Sequence, residues 1–335
     1  MTKWKSLPSK RAFAAFDGMR GVAAIAVVFF HIGATIGIAQ LAPFGYLAVD
    51  LFFMLSGFVV GNAYECKILS GELTWRRFML IRIARLFPGL FLGCLIAWVI
   101  NPMANIGDAL RAFALIPQFG TNVLFPINPV LWSLFFELLI NAIHGAVAKR
   151  LSTRILLIFL AVAGVAYIAA ALYYRGPGLG WGRSTFLAGF ARICWGYGVG
   201  LAVFRFRAFL PDFHSKPAVC VTAVALVLFS PNLGLTAPQV AATLFVVFPA
   251  CLVVGCLSNA EKNYLFALLG AASYPLYAVH YPLIVLIERL GLIKQLLPWL
   301  LAGLGIIAFA VALERFVERP MRNKMRILMA PARVP

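Results

Sequence analysis

The stretch RGVAAIAVVFFH, residues Arg20 to His31, decides how this chain folds. Ten apolar or glycine residues separate its two ionisable ends, a pattern typical of a helix that enters a membrane. On a helix, eleven residues rise by about 16 Å and return to nearly the same direction, so both side chains lie on one face. With Arg20 at the cytoplasmic boundary, the His31 ring lies near the middle of the hydrocarbon core, where an ionisable group needs an explanation.

The composition of the whole chain agrees with this interpretation. Of its 335 residues, 63% are hydrophobic and only 12% are charged, and the mean hydropathy of +0.93 excludes an ordinary soluble domain. We predict an all-α fold, a polytopic membrane helix bundle of about ten transmembrane helices with both termini in the cytoplasm. The ten apolar runs cover residues 21–39, 45–64, 87–101, 131–148, 155–174, 186–204, 217–230, 239–258, 264–287 and 296–314.

The distribution of basic residues sets the orientation of the bundle. With an even number of crossings and a cytoplasmic start, nearly all Lys and Arg fall on the inner side, as the positive-inside rule requires. The outer loops keep only Arg111, Arg175, Arg183, Arg289 and Lys294. The net charge of +18 therefore indicates a lipid bilayer as partner and no nucleic acid.

The remaining features predict one membrane domain over residues 1–335. We expect basic cytoplasmic tails at 1–20 and 315–335, no fused soluble domain, and a surface or re-entrant segment at 109–126, because prolines interrupt it. The six cysteines fall in or near spans without the spacing of metal ligands, so neither a metal nor a disulfide framework is expected.

Four ionisable residues lie in the outer half of the predicted spans: His31, Asp50, Glu137 and Arg192. Isolated charges are unfavourable in hydrocarbon, so we expect these groups to pair or to line one water-filled cavity. Arg192 is expected to pair with Asp50 or Glu137.

Glu137 belongs to a polar stripe with Ser133, Asn141 and His144, whose spacings of four, four and three place them on one helix face. The stripe predicts either a cavity wall or hydrogen bonds between packed helices. His280 lies in a run broken by two prolines, and both a structural and a substrate-contacting role stay open for it.

The segment WRRFMLIRIARLFPG, residues 75–89, alternates four arginines with large apolar residues. We predict an amphipathic helix on the cytoplasmic surface. Arg76, Arg77, Arg82 and Arg85 either set the topology or bind phosphate groups, for which arginine offers planar bidentate donors.

Five strings, taken in chain order, resemble motifs of the acyltransferase 3 family of bacterial integral-membrane O-acyltransferases. RGVAAIAVVFFH is similar to its arginine, ten residues, histidine motif, and GYLAVDLFFMLSGF to its second-helix signature. RRFMLIRIARLFP, LWSLFFE and SYPLYAVHYPL resemble its basic loop, its serine and glutamate spacing and its late histidine segment. The chain departs from the family at Ala48, where a glycine is usual, and at Leu138, where many members carry a second acid.

The resemblance implies transfer of an acyl group, often acetyl, from cytoplasmic acyl-CoA to a hydroxyl of a sugar, exported polysaccharide or glycolipid. It implies a multi-pass protein of the bacterial inner (cytoplasmic) membrane that holds no bound cofactor and takes acyl-CoA as donor substrate. We expect Arg20, Arg76, Arg77, Arg82 and Arg85 to bind the acyl-CoA.

His31 is the expected general base, kept neutral by its apolar surroundings and oriented by Asp50 or Glu137. An acyl-histidine intermediate is the alternative route. Ser133, Asn141, Arg192 and His280 are expected to contact substrate or to serve structure.

Two other functions remain open at this stage. A proton-coupled secondary transporter also uses ionisable groups at mid-membrane depth and broken helices, but no inverted repeat is visible in the sequence. A flippase-like component of a glycan pathway predicts a dispensable His31.

Overall fold

The structure is a computed structural model that describes residues 13–38, 41–101, 104–210, 215–230, 237–258, 263–291 and 295–328. The ends of the two predicted basic tails, 1–12 and 329–335, and Lys294 of a predicted outer loop lie outside these residues.

In the described part of the chain the regular elements are all helices, joined by turns and loops, with one isolated bridge between Val123 and Gly182. Among the described residues, eight helices are long and apolar enough to cross a membrane, and two shorter apolar helices, α5 and α8 in the numbering below, lie at two further predicted spans. The prediction of an all-α polytopic membrane bundle is confirmed. The helices in chain order are α1 Ala14–Ile36, α2 Gly45–Ser70, α3 Trp75–Val99, α4 Ile106–Phe113, α5 Leu131–Val147, α6 Thr153–Tyr173, α7 Arg183–Phe209, α8 Pro217–Phe229, α9 Ala237–Leu257, α10 Tyr264–Leu290, and α11, which runs through Leu296–Leu313, Glu314–Glu318 and Arg319–Leu328.

Helix α3 corrects the prediction of a separate amphipathic helix on the cytoplasmic surface. The basic segment 75–89 and the third apolar run form one continuous helix that begins after Thr74, whose hydroxyl accepts a hydrogen bond from the Arg77 N–H. Arginines are tolerated here because they face the protein interior: Arg82 is buried against Glu137, and Arg85 lines a cavity.

Two further boundaries differ from the sequence expectation. Helix α1 begins at Ala14 and α11 continues to Leu328, so both predicted tails are partly helical.

The segment 109–126 contributes only the last residues of the short helix α4, Ile106–Phe113, and then an irregular loop. Eight residues cannot span a bilayer, so this segment does not cross.

Small residues allow the helices to approach closely. Helix α1 packs along α10, and α2 packs along α7. At the second crossing, a Cβ atom on Gly57 would lie 2.0 Å from the Tyr197 carbonyl oxygen, and one on Gly200 would lie 1.8 Å from the Met54 carbonyl oxygen. Only glycine fits at these two positions, as is common where membrane helices pack backbone to backbone.

At Pro282 of α10, a side chain replaces the hydrogen bond that the proline cannot make. Pro282 has no N–H to donate to the Ala278 carbonyl one turn earlier, and the Asn128 side-chain amide donates to that oxygen instead, at 3.1 Å. Asn128 is fully buried, and it fixes the loop before α5 against α10.

Candidate functional site

A cavity of about 900 Å³ lies between α1, α2, α3, α5, α10 and the end of α11. Its volume falls within the range of small-molecule and cofactor sites. Four arginines line it, against two acidic residues, Asp17 and Glu137; the arginines are Arg20, Arg77, Arg85 and Arg322.

The positive charge of this cavity is not fully compensated. Glu137 is already paired with Arg82, and Arg322 is paired with Glu314 and Glu318. Across the described residues, Arg20 and Arg85 form no ion pair. Guanidinium groups that face a cavity and make no direct ion pair are suited to bind an anion.

The cavity has a basic end and a hydroxyl-bearing end. Arg77 lies two residues from the start of α3 and Arg20 six from the start of α1, so the basic end is at the predicted cytoplasmic side. At the other end, the Ser133 and Tyr277 hydroxyls are 2.7 Å apart. Phe52, Phe53 and other apolar side chains complete the wall.

Glu137 accepts two hydrogen bonds through one carboxylate oxygen. Arg82 Nη2 donates to Oε1 at 2.7 Å, and the Ser56 hydroxyl donates to the same atom at 3.0 Å. Arg82 is almost completely buried, and its Nε and Nη1 atoms have no partner among the described residues. In this geometry Arg82 holds Glu137. The sequence had suggested that Arg82 binds acyl-CoA.

His31 lies beyond the hydroxyl-bearing end and does not line the cavity. Its ring centroid is 5.2 Å from that of His280 and 5.3 Å from that of Tyr281. His280 is one helical turn beyond Tyr277 on α10 and fully buried, whereas His31 is partly exposed. The two histidines thus form a pair, separated from the cavity by Tyr277 and Phe52, whose rings are in edge contact at 5.8 Å.

Of the four residues expected to pair or to line one cavity, only Glu137 lines this cavity, and Asp50 and Arg192 pair with each other. The expectation that Asp50 or Glu137 orients the His31 ring is wrong in this structure. Both carboxylates bind guanidinium groups elsewhere, which gives a buried charge far more stabilisation than a neutral ring does.

Asp50 and Arg192 form a separate buried ion pair, as the sequence predicted for Arg192. Arg192 Nη2 and Nε donate to the two carboxylate oxygens at 2.7 and 2.9 Å, and the Tyr167 hydroxyl donates at 3.0 Å. The remaining donors of Arg192 reach the carbonyls of Leu179 and Tyr46. With every polar atom of the guanidinium bonded, this pair ties α2 to α6 and α7.

The lower half of the α5 stripe joins a polar cluster that the sequence did not reveal. Glu65 accepts from Arg205 Nη2 at 2.5 Å and Nε at 3.0 Å, and His144 Nε2 is 3.7 Å from the same carboxylate oxygen. His144 Nδ1 is 2.7 Å from the Tyr197 hydroxyl, which donates to Asn141 at 3.4 Å. The shared face of the stripe is confirmed, and it serves as cavity wall above and as interhelical hydrogen bonding below.

Sequence reasoning missed Glu65, Tyr277 and Arg322. Glu65 follows directly after the apolar run 45–64, and Arg322 lies in the predicted tail, so neither was among the candidate site residues. The signal that reveals Arg322 is the helical spacing of four residues from Glu318, its ion-pair partner. Among the predicted donor-binding residues, Arg76 is exposed and does not line the cavity.

The comparisons with known proteins agree with the resemblance seen in the sequence. The family model described as an acyltransferase domain, Acyl_transf_3, matches residues 13–315. The chain is 36% identical over 185 residues to "Protein 2 in picA locus" of Rhizobium radiobacter, an alignment that covers 48% of this chain and 94% of the relative. It is 26% identical over 113 residues to the peptidoglycan O-acetyltransferase OatA of Listeria monocytogenes, covering 31% of this chain and 17% of the relative. No solved structure matches.

Proposed function

Because this chain belongs to the acyltransferase 3 domain family, we propose that it is a membrane O-acyltransferase that moves an acyl group from acyl-CoA to a sugar hydroxyl. The acceptor is the hydroxyl of an exported polysaccharide or glycolipid, and the protein resides in the bacterial inner membrane. An acetyl group is the first choice of acyl chain, since one relative is named an O-acetyltransferase.

The observation that carries this proposal is the arginine-lined cavity with an apolar middle and a hydroxyl-bearing end. Coenzyme A has the matching chemistry, with anionic phosphates at one end and a thioester at the end of a long arm. We place the phosphates at Arg20, Arg77, Arg85 and Arg322, because arginine binds phosphate oxygens bidentately. The arm then runs past Phe52 toward Ser133 and Tyr277.

His31 is the proposed base, beside His280 beyond the hydroxyl-bearing end of the cavity. The acceptor oxygen attacks the thioester carbonyl carbon and gives its proton to a ring nitrogen of His31. The carbon–sulfur bond breaks, and the leaving thiolate takes that proton to become the free thiol of coenzyme A. Transfer through an acyl-histidine requires the same ring and stays a second route. For either route, the Phe52 and Tyr277 side chains must rotate to let the thioester reach the ring.

The test uses the purified full chain in liposomes with radiolabelled acetyl-CoA and a panel of glycan acceptors. We expect label on the acceptor from the wild type and a loss of at least about 100-fold in kcat for His31→Ala, the usual contribution of a general base. Phe30→Leu is the matched control, because Phe30 also contacts the His31 ring, at 5.1 Å between centroids, but supplies no base.

Two results contradict the proposal. Undiminished transfer by a folded His31→Ala protein removes the assigned base. Counterflow of a solute across the liposome without consumption of acetyl-CoA favours the transporter instead.

A further inference from the structure

His280 Nε2, a buried nitrogen of the histidine pair, has no role in the mechanism above. His280 Nδ1 lies 2.8 Å from the Tyr277 carbonyl oxygen and 3.1 Å from the Leu276 carbonyl oxygen. Carbonyl oxygens only accept hydrogen bonds, so Nδ1 carries the hydrogen. In the neutral ring, Nε2 is then left as a hydrogen-bond acceptor.

This acceptor is buried and unpaired. His280 is fully buried, and its Nε2 atom has no partner among the described residues. An unpaired buried polar atom is costly and uncommon in a native protein, so a nearby donor is expected to pair with it.

His31 is suited to supply that donor. The two ring centroids are 5.2 Å apart with an angle of 38° between the planes. A hydrogen bond needs about 2.9 Å between donor and acceptor atoms, and each nitrogen projects outward from its ring centre. A rotation about the Cβ–Cγ bond of His31, a torsion with a broad minimum, changes which of its ring atoms faces His280.

We propose that His280 is a positioning residue whose Nε2 accepts the ring N–H of His31, an inference that rests on the function proposed above. The bond fixes which nitrogen of His31 carries the hydrogen and leaves the other as the base. A carboxylate commonly does this behind a catalytic imidazole. Here Asp50 and Glu137 are bound to arginines, and the imidazole of His280 has the role of the carboxylate.

Two substitutions separate this role from a structural one. His280→Asn keeps an amide N–H at the Nδ1 position, and so keeps the bonds to the two carbonyls, but removes the atom at Nε2. His280→Gln places an amide oxygen near the Nε2 position and gives up the bonds to the carbonyls. We expect His280→Asn to lower kcat at least tenfold with KM for acetyl-CoA unchanged, and His280→Gln to keep most of the wild-type kcat.

A role in packing alone predicts the opposite order, with Asn active and Gln inactive, and that result overturns the proposal. Tyr281→Leu is the control, because Tyr281 contacts the His31 ring at a similar distance, 5.3 Å, without belonging to the pair. If Tyr281→Leu loses as much kcat as His280→Asn, the effect is a general loosening of His31 and the proposal fails.

A second readout is independent of activity. In protein labelled with ¹⁵N at histidine, the chemical shifts of the His31 ring report its tautomer. We expect one tautomer in the wild type and in His280→Gln, and a mixture in His280→Asn; an unchanged tautomer in all three overturns the proposal. If the wild type transfers no acyl group, the proposed function fails while the tautomer shifts still decide this inference. If His31→Ala is inactive and His280→Asn is fully active, only the inference fails.

Discussion

The buried pair of Asp50 and Arg192 is expected to contribute to stability through mutual neutralisation, which a double-mutant cycle measures. Asp50 is fully buried, Arg192 is 1% exposed, and the two make two hydrogen bonds across 142 residues of chain. Asp50→Ala leaves the guanidinium charge in a low-dielectric interior without a counter-ion. Arg192→Ala leaves the carboxylate in the same situation.

The expected magnitude follows from this burial. Breaking a buried ion pair by removing one partner costs about 3–5 kcal/mol. Asp50→Ala also removes the acceptor of the Tyr167 hydroxyl, although that hydroxyl keeps the Pro177 carbonyl at 3.1 Å as an acceptor. The double variant leaves no unpaired charge, so its loss should be close to that of one single variant, with a coupling of about 3–5 kcal/mol.

The assay is equilibrium unfolding of the detergent-solubilised protein by titration with a denaturing detergent, followed by tryptophan fluorescence. The control is the same cycle on Arg111 and Asp108, a pair 3.5 Å apart with side chains that are 54% and 24% exposed. An exposed pair of this kind is worth about 0.5 kcal/mol. If the losses of the two buried single variants simply add, the pair does not act by neutralisation and the reasoning is refuted.

Three further predictions test other parts of the structure. Arg77→Ala should raise KM for acetyl-CoA in the liposome assay roughly tenfold, the effect of one charge-assisted hydrogen bond to phosphate. Arg76 lies outside the cavity, so Arg76→Ala should leave KM unchanged. Equal effects of the two substitutions would show that Arg77 does not bind the acyl donor. Gly200→Ala forces α2 and α7 apart and should abolish the folded peak in size-exclusion chromatography. Gly305→Ala, with nothing within 4 Å of its Cβ position, should elute as the wild type does. A folded Gly200→Ala protein would contradict the close crossing of α2 and α7. Asn128→Leu leaves the Ala278 carbonyl of α10 without a donor. It should lower the free energy of unfolding by about 1–3 kcal/mol in the detergent titration. An unchanged free energy of unfolding would show that the carbonyl finds another donor.

The sequence identified the residues that could carry chemistry, but it did not identify which of them contact one another. Arg192 was expected to pair with Asp50 or Glu137, and the structure selects Asp50. Glu137 was expected near His31, and it binds Arg82 of the neighbouring helix instead. Spacing along one helix states which face a side chain is on, but it does not state which other helix that face contacts.

The sequence by itself determined the helical membrane bundle, the apolar runs that form its long helices and the shared face of the α5 stripe. Each membrane helix satisfies its own backbone hydrogen bonds, so its existence depends on the hydropathy of a local run of residues. Only the tertiary structure decided which buried polar groups meet: His31 with His280, Glu65 with Arg205, and Arg322 with the cavity. Those contacts depend on how helices far apart in the chain are rotated and packed against one another, and no local pattern contains that information.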